Sequence, residues 1–300
     1  MNFLKLIALA FVIVFHSYSN CQESEKSALY FNQTPPSTTP KKFAPGIISK
    51  PDRYEFGCAF SKDGKEFFFG ESNGNNNIIY QSVLKNGKWS EPQNIFPGDI
   101  FSNNDPMLSV DEKRLYFISD RPLEGSSNQK DIDIWYTNRL TDGWSEPVNA
   151  SAPINSNLEE YFISFSRSGT MYFASNSLNN EESDFDIYSS EQINGVFQKR
   201  KRLPPEINTR AYEADVFVAP DESYLIFCAN RKGGLGRGDL YISFKDKGGK
   251  WTKSISMGSP INTEGHELCP FVTADGKYFF YTSNEDIYWV STEIFDSYRK

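Results

Sequence analysis

An acidic side chain recurs at one position of an internal repeat in this sequence. It stands eight residues before a polar turn, at Glu55, Glu160, Glu213 and Glu267, with Asn103 in its place once. Two residues further on stand Gly57, Asp105, Phe162, Asp215 and Cys269. Because the side chains of a strand alternate between its two faces, both positions should face the same side. The sequence therefore predicts that these glutamates gather with Asp105 and Asp215.

Three kinds of chemistry suit such a group of carboxylates. They could pair with an arginine such as Arg121 or Arg231, or accept backbone N–H bonds, and so serve the scaffold. They could bind calcium, which prefers oxygen ligands. Two of them could act as a glycoside-cleaving pair, which needs carboxyl groups about 5 to 9.5 Å apart. The acids repeat uniformly, whereas dedicated catalytic residues would break the repeat, so the scaffold interpretation is favoured and no cofactor is expected.

Aromatic residues and a histidine directly precede three of these glutamates. Tyr54, Tyr212 and His266 hold this position, and they are the best candidates for ligand contacts beside the acids. His266 is the only histidine after residue 16. A Ser-His-Asp triad would have to use it, and the chain contains neither a GxSxG nor an HExxH motif.

The elements that hold these residues come from a repeat of roughly fifty residues. Each copy contains a polar turn between two apolar segments, which is typical of a β-hairpin. The copies are FSKDGKEFFFGES (60–72), LSVDEKRLYFISD (108–120), FSRSGTMYFASN (165–176), VAPDESYLIFCAN (218–230) and VTADGKYFFYTSN (272–284). The next segments are NIIY (77–80), DIWY (133–136), DIYS (186–189), DLYI (239–242) and DIYW (286–289).

Four strand-like pieces per repeat at this period predict a β-propeller blade. The fifth repeat lacks the last segment that the others have, such as SPINT (259–263), but a matching segment, FAPGIIS (43–49), precedes the first repeat. We therefore predict an all-β fold with one propeller domain over residues 43–300. It should have five four-stranded blades, and an N-terminal strand should close the ring. A six-bladed ring is the alternative.

These repeats resemble PD40 repeats, the WD40-like blades of TolB-type propellers. The resemblance covers nearly all of the predicted domain and rests on the acidic residue, the Asp-Gly turn, the Leu-Tyr-Phe strand and the Asp-Ile-Tyr segment. Repeats 2 and 4 add Arg121 and Arg231, whereas repeat 3 departs with Ser168 and Gly169 at the turn. The resemblance implies a cell-envelope location and protein partners. It implies fold more strongly than function, because propellers host many roles.

The stretch GGLGRGD (233–239) invites two functional interpretations, a phosphate-binding loop or an Arg-Gly-Asp receptor motif. A dinucleotide loop must be followed by a helix, but here DLYISF follows and predicts a strand. Asp239 is the first residue of the Asp-Ile-Tyr segment. We expect it to accept hydrogen bonds from turn N–H groups at the start of a strand.

The N-terminus predicts export. Residues 6–15 form an apolar run too short to span a bilayer. Either ordinary cleavage near residues 17–19 or lipid attachment at Cys21 would process it. We predict a signal peptide at 1–20 and a flexible tether at 21–42. The protein should be bacterial and either periplasmic or an outer-membrane lipoprotein, with membrane contact only through Cys21.

The net charge bears on whether nucleic acid is a partner, and the cysteine count bears on whether disulfides form. The net charge is -8, and the one basic run, at 199–202, is short, so nucleic acid is not an expected partner. Cys58, Cys228 and Cys269 fit small buried hydrophobes. A bridge between Cys58 and Cys269 is an alternative, because their strands should be neighbours.

We conclude from the sequence that the protein is a binding or scaffold propeller of the cell envelope, without catalysis. Its partner should be an envelope protein or a polysaccharide. The alternative is a glycan-active hydrolase or lyase that uses the carboxylates at the channel mouth.

Overall fold

The structure is a computed structural model that describes residues 29–123, 125, 131–176 and 185–299 of the 300-residue chain. In this part of the chain, antiparallel strands form five small sheets, each a blade of a β-propeller, and one separate two-stranded hairpin. Each innermost strand packs against the next, and the last packs against the first, so the ring is closed. The five-bladed all-β prediction is confirmed and the six-bladed alternative is wrong. The predicted signal peptide and Cys21 lie outside the described residues.

The strands follow one another in chain order, and each blade begins with its innermost strand. A short 3-10 turn at Leu29–Asn32 and strand β1 (Lys41–Lys42) precede the first blade. Blade 1 holds β2 (Tyr54–Phe60), β3 (Glu66–Ser72), β4 (Asn77–Lys85), β5 (Lys88–Trp89) and β6 (Gln93–Asn94). Blade 2 holds β7 (Asn103–Leu108), β8 (Arg114–Ser119), β9 (Asp133–Asn138) and β10 (Val148–Asn149).

The remaining blades follow the same plan. Blade 3 holds β11 (Glu160–Phe165), β12 (Met171–Asn176), β13 (Phe185–Ser190), the hairpin β14 (Gln192–Ile193) and β15 (Val196–Phe197), and β16 (Lys201–Arg202). Blade 4 holds β17 (Tyr212–Val218), β18 (Tyr224–Asn230), β19 (Asp239–Phe244) and β20 (Ile255–Ser256). Blade 5 holds β21 (Glu267–Val272), β22 (Tyr278–Ser283), β23 (Asp286–Ser291) and, as its outer strand, β1, and a 3-10 helix follows at Thr292–Ser297. Neither described helix has the length or apolarity to cross a membrane.

The first hairpin of each blade owes its turn to a short polar side chain. Asp63 Oδ1 accepts a hydrogen bond from the backbone N–H of Lys65 at 3.0 Å, and Asp111 does the same for Lys113 at 3.2 Å. Such contacts two residues ahead are typical of Asx turns. In blade 3, where serine replaces the aspartate, the Ser168 hydroxyl lies 2.8 Å from that of Ser166.

The Pro-Ile-Asn segments are turns that follow the fourth strands, rather than strands themselves. Their asparagine fixes the start of the third strand. Asn208 Oδ1 accepts from the Ile187 N–H at 2.8 Å, and its Nδ2 donates to the Ile187 carbonyl at 2.8 Å. Asn155 and Asn262 bind their own blades in the same way. The side chain thereby satisfies one donor and one acceptor of the buried backbone.

An N-terminal strand closes the ring, as predicted, but it lies earlier in the chain. Lys41 and Lys42 pair with Trp289 and Tyr288 of β23, and Lys42 Nζ lies 2.5 Å from Asp286 Oδ2. The chain also joins the propeller before the predicted boundary at residue 43. Phe31 is buried and stacks on Trp89 with ring centroids 4.3 Å apart, so this part of the predicted tether belongs to the folded domain.

We expect Phe31→Ala to lower the free energy of unfolding by about 3 kcal/mol, because a large buried aromatic side chain would leave a cavity at the closing seam. Urea denaturation of the purified protein would measure the loss. The control is Ile100→Ala, at a side chain that is 73% exposed, which should change stability by less than about 0.5 kcal/mol. Equal effects would mean that the N-terminal segment does not stabilise the ring.

Candidate functional site

The repeated glutamates are bonded inside the scaffold. Glu213 is fully buried and accepts from the Thr209 N–H at 2.9 Å and the Thr209 hydroxyl at 2.6 Å. Arg231 Nε donates to the same carboxylate at 2.8 Å, and its guanidinium lies 4.6 Å from the Tyr241 ring centroid. Thr209 lies on the linker from blade 3, so the glutamate ties that linker to the blade it enters.

Two other blades repeat this arrangement. Glu160 accepts from the Ser156 hydroxyl at 2.7 Å and from Arg200 Nη1 at 2.7 Å. Glu267 accepts from the Thr263 N–H at 2.9 Å and from its hydroxyl at 2.7 Å. Each of these carboxylates is fully buried and already holds several donors. They are thus used by the scaffold.

Blade 2 replaces the glutamate with Asn103 and keeps the arginine. Arg121 Nη2 donates to Asn103 Oδ1 at 2.8 Å and forms an ion pair with Asp99 Oδ2 at 2.5 Å. Its guanidinium lies 5.3 Å from the Trp135 ring centroid. The candidates Arg121 and Arg231 therefore serve the blades they belong to.

Glu55, in blade 1, is the exception. Its Oε1 accepts only the Lys50 N–H at 3.2 Å, and its Oε2 has no partner although the side chain is fully buried. Arg53 instead binds Glu71, the cross-strand neighbour of Glu55, at 2.6 Å. Burial raises the pKa of Glu55 to about 7. This carboxyl is the least satisfied member of the repeated set.

The expected alternation fails two residues after each of these positions. The residues there are Gly57, Asp105, Phe162, Asp215 and Cys269, and all have φ between 46° and 53°. The pairing register shifts at this point in every blade. Each innermost strand thus contains a β-bulge with a left-handed residue. The six candidate carboxylates consequently do not form one group.

The bulges bring Asp105 and Asp215 together at the centre of the ring. The Cys269 thiol, from blade 5, donates to Asp105 Oδ1 of blade 2 at 3.6 Å, and its backbone N–H reaches Asp215 Oδ2 of blade 4 at 3.4 Å. A Cβ on Gly57 would lie 2.6 Å from Asp105 Oδ1. Side chains from non-adjacent blades therefore meet on the axis, and only glycine leaves room for them in blade 1.

The two central carboxyls perturb each other. Each is 8% exposed. Burial, together with repulsion from Asp215, raises the pKa of Asp105 to about 8, and burial raises the pKa of Asp215 to about 6. Burial and the adjacent acids also raise the pKa of the Cys269 thiol. At neutral pH the pair therefore holds a proton that ordinary aspartates would have lost.

Three half-buried tyrosines interact electrostatically with one or both of these aspartates: Tyr54, Tyr161 and Tyr212. Burial is the main cause that raises the pKa of each phenol, and one or both aspartates add to it. Tyr54 and Tyr212 were candidates from the sequence, but Tyr161 was not. The sequence signal for it was weak, because it follows its glutamate instead of preceding it.

His266 and Arg237 form the charged side of the same mouth. Arg237 is exposed, and its Nη2 lies 3.0 Å from His266 Nδ1, whose Nε2 lies 3.6 Å from Cys228 Sγ. Burial and the neighbouring guanidinium lower the pKa of His266. The structure thus brings four of the predicted candidates within electrostatic reach of one another (Tyr54, Tyr212, Asp105 and Asp215), whereas His266 contacts Cys228 and Arg237.

The Arg-Gly-Asp stretch has a structural role at Asp239. Its buried carboxylate accepts the N–H groups of Leu235 at 2.7 Å and Gly236 at 3.2 Å, as predicted for a turn cap. A Cβ on Gly238 would meet the His266 ring at 2.4 Å, so this position must be glycine for the loop to pack against blade 5. Neither a phosphate loop nor an exposed Arg-Gly-Asp aspartate is present.

The opposite end of the axis contains a cavity with both aromatic and charged side chains in its lining. A cavity of about 460 Å³ lies between the far ends of the innermost strands, lined by side chains from all five blades. They include Phe60, Met107, Phe165, Phe217 and Phe271. Lys62, Glu112, Arg167 and Asp275 also line this cavity, so both ends of the channel contain titratable groups.

Neither a metal site nor a disulfide is found in the described part of the chain. There, no three His, Cys, Asp or Glu side chains converge in a way that could hold a metal ion. Cys58, Cys228 and Cys269 are buried and free, so the alternative bridge between Cys58 and Cys269 is absent.

Solved structures with a similar fold cover most of this chain at low sequence identity. An endo-arabinase from Bacteroides thetaiotaomicron has a TM-score of 0.51 and 14% identity over 83% of this chain and 92% of its own. An α-L-arabinofuranosidase from Podospora anserina has a TM-score of 0.50 and 11% identity over 84% and 97%. TolB from Acinetobacter baumannii has a TM-score of 0.49 and 15% identity over 80% of this chain and 55% of its own.

These likenesses show the propeller fold alone. The chain spans little more than half the length of TolB. No protein-family model matches the sequence, and a search of curated proteins found no match.

We expect Arg231→Ala to lower the free energy of unfolding by about 3 kcal/mol, because it leaves Glu213 buried without a cation. Thermal and urea denaturation would measure the loss. The control is Lys201→Ala, which breaks an ion pair whose side chains are 67% and 54% exposed. This change should cost less than about 1 kcal/mol. Similar losses in both variants would contradict the scaffold role of the buried glutamates.

The central acid pair should make the protein less stable as pH rises from about 5 to 8. The pKa of both carboxyls is higher in the folded protein than in the unfolded chain. The folded protein therefore binds more protons in this range, and its free energy of unfolding falls with pH. Urea denaturation at several pH values would show this slope.

Asp215→Asn should flatten the slope and make the protein more stable than the wild type at pH 8, because it removes the repulsion between the carboxyls. Asp296→Asn, at a side chain that is 75% exposed, should keep the wild-type slope. A wild-type protein whose stability does not change with pH would contradict the proximity of the two acids.

Proposed function

We propose that the protein is a non-catalytic binding propeller of the bacterial cell envelope. It holds its partner at the channel mouth formed by Asp105, Asp215 and the tyrosines around them. The partner is an envelope protein or a polysaccharide. No cofactor is required, since hydrogen bonds, aromatic contacts and charge can supply the affinity.

This proposal rests on the observation that the repeated glutamates form hydrogen bonds within the fold. Glu160, Glu213 and Glu267 are buried and bonded to linker Ser or Thr residues, so they are not available to act on a substrate. The groups left free to contact a ligand lie at the mouth. Tyr54 and Tyr212 present partly exposed rings, which are favourable in binding sites because a rigid apolar surface carries a polar tip.

A glycan-active enzyme is the second candidate function. It is supported by the carboxyl pair, because burial raises the pKa of both groups and a carboxyl that keeps its proton could act as a general acid. The similar folds of an endo-arabinase and an α-L-arabinofuranosidase agree with this candidate at the level of fold only. Both carboxyls contact a single residue, Cys269, which favours a shared proton over separate acid and base roles.

Export and PD40-type repeats belong to the same proposal. The apolar run at 6–15 and Cys21 suggest secretion with or without a lipid anchor. The repeated turn, the Asp-Ile-Tyr segment and the acidic position suggest PD40-type blades. Mass spectrometry of the mature N-terminus would distinguish a lipidated Cys21 from ordinary cleavage.

The proposal is tested by affinity capture from the native cell envelope with the tagged mature protein and with Arg237→Glu. Arg237 is exposed at the mouth, so reversing its charge should reduce recovery of a stoichiometric partner about tenfold without unfolding the domain. Lys247→Glu is the control, because it makes a similar charge change at an exposed residue of the loop after β19. Mass spectrometry and sugar analysis of the captured material would identify the partner.

Equal recovery with wild-type protein and Arg237→Glu would place binding elsewhere and contradict the proposal. Release of sugar from envelope polysaccharide that is lost in Asp215→Asn would establish the enzymatic candidate instead.

A further inference from the structure

The cavity at the far end of the axis is lined by one large apolar side chain from each blade. These are Phe60, Met107, Phe165, Phe217 and Phe271. Phe60, Phe217 and Phe271 are each 6% exposed, although they belong to the main hydrophobic core. The volume of about 460 Å³ lies within the range of about 300 to 1,000 Å³ that is usual for small-molecule sites. The packed ring therefore leaves space at this end for the apolar body of a small molecule.

Arg167, in the turn between β11 and β12, gives the lining of this cavity a cation without a counter-ion. Its backbone N–H donates to the Pro220 carbonyl of blade 4 at 2.7 Å, which fixes the turn beside the cavity. Its side chain is exposed and makes no hydrogen bond or ion pair with any residue that the structure describes. The Ser223 hydroxyl and N–H hold the pKa of the nearby Asp221 low, and Arg167 adds only a small contribution to this shift.

The other charged groups of the lining compensate one another. Asp275 Oδ2 lies 3.0 Å from the ammonium of Lys277. Glu112 Oε1 accepts the Lys62 N–H at 2.5 Å, and the Lys62 ammonium donates to the Val110 carbonyl. These four charges cancel in pairs, so the guanidinium of the neighbouring turn leaves one net positive charge beside the apolar wall.

A buried hydroxyl adds a hydrogen-bonding group to the same wall. Ser164 lines the cavity and is 1% exposed, and its oxygen accepts the Val218 N–H at 3.1 Å. Its own O–H donates to no acceptor within the described residues. The lining thus combines an apolar surface with two groups that can donate hydrogen bonds to a ligand.

We infer that this cavity binds a small monocarboxylate with an aromatic body, whose ring packs against the five apolar side chains and whose carboxylate pairs with Arg167. A guanidinium presents parallel N–H groups that match the two oxygens of a carboxylate. Phenylalanine and methionine side chains make favourable contacts with an aromatic ring. A dianion fits less well, because Glu112 and Asp275 also line the cavity. The inference goes beyond the proposed function, since this cavity lies at the end of the axis opposite the mouth.

The test compares 3-phenylpropionate with 3-phenyl-1-propanol, which has the same ring and nearly the same size but no charge. Isothermal titration calorimetry at pH 7 should show the acid binding at least about tenfold more tightly, as expected for a charge-assisted hydrogen bond. Propionate, which lacks the ring, should bind at least about tenfold more weakly than 3-phenylpropionate, because it buries less apolar surface. The affinity of 3-phenylpropionate should also fall as the salt concentration rises.

Arg167→Gln should lower the affinity for 3-phenylpropionate about tenfold and leave that for 3-phenyl-1-propanol unchanged, because it removes the charge and keeps the apolar wall. The control is Arg210→Gln, the same change at an exposed arginine just before β17, at the opposite end of the innermost strands. This variant should bind both compounds as the wild type does. Urea denaturation would verify that each variant is folded before titration.

Three results would overturn the inference. The first is that 3-phenylpropionate does not bind measurably, and the second is equal affinity for the acid and the alcohol. The third is binding of the acid that is unchanged in Arg167→Gln, including binding that is lost in Arg237→Glu instead and so belongs to the mouth. Envelope capture through Arg237 does not depend on this cavity, so either proposal can fail while the other stands.

Discussion

The left-handed bulge in each innermost strand is the constraint on which the site depends. Asp105, Asp215 and Cys269 all have φ between 50° and 53°. An L-residue in this conformation costs about 1 kcal/mol or more, so the packing of the ring must impose it. At the bulge, Asp105, Asp215 and Cys269 are not paired with the neighbouring strand, and these residues of blades 2, 4 and 5 contact one another near the axis of the ring. Each of these blades thus contributes only its bulge residue to the centre of the ring, and the other residues of its innermost strand pack in the core.

The hairpins and the blade count were predictable because their chemistry is local. Asp63 and Asp111 specify the same turn by the same hydrogen bond, and such turns recur once per repeat. The position of the acids was not predicted correctly, because strict alternation was assumed along the innermost strands. Two signals for the irregularity were present in the sequence. Gly57 interrupts one strand, Pro106 and Pro270 follow the bulge residues of two others, and both residue types mark bulges.

The bulge separates two populations of buried acids with different physical roles. Glu160 and Glu213 have arginine and hydroxyl partners, so their charge is compensated within the fold and holds a linker in place. Asp105 and Asp215 have raised pKa values and no cation, so the folded state gains little from them at neutral pH. Blades 1 and 3 form the same bulge with Gly57 and Phe162 at this position, so the bulge itself does not require an acid. The acids at this position are therefore particular to blades 2 and 4.

In blade 1 the buried glutamate makes fewer hydrogen bonds to the entering linker than in blades 3, 4 and 5. The linker that enters it comes from the N-terminal segment, and Glu55 receives the Lys50 N–H in place of a Ser or Thr pair of donors. Its arginine counterpart is Arg53, which binds Glu71. The ring closes in the neighbouring blade 5, where β1 pairs with β23, and apolar contacts between blades 1 and 5 replace the hydrogen bonds of the glutamate. Phe31 fills the seam by stacking on Trp89, and Phe43 packs against Phe280 with ring centroids 5.0 Å apart. Because aromatic packing does not depend on protonation, the ring can stay closed over the pH range in which the central acids titrate.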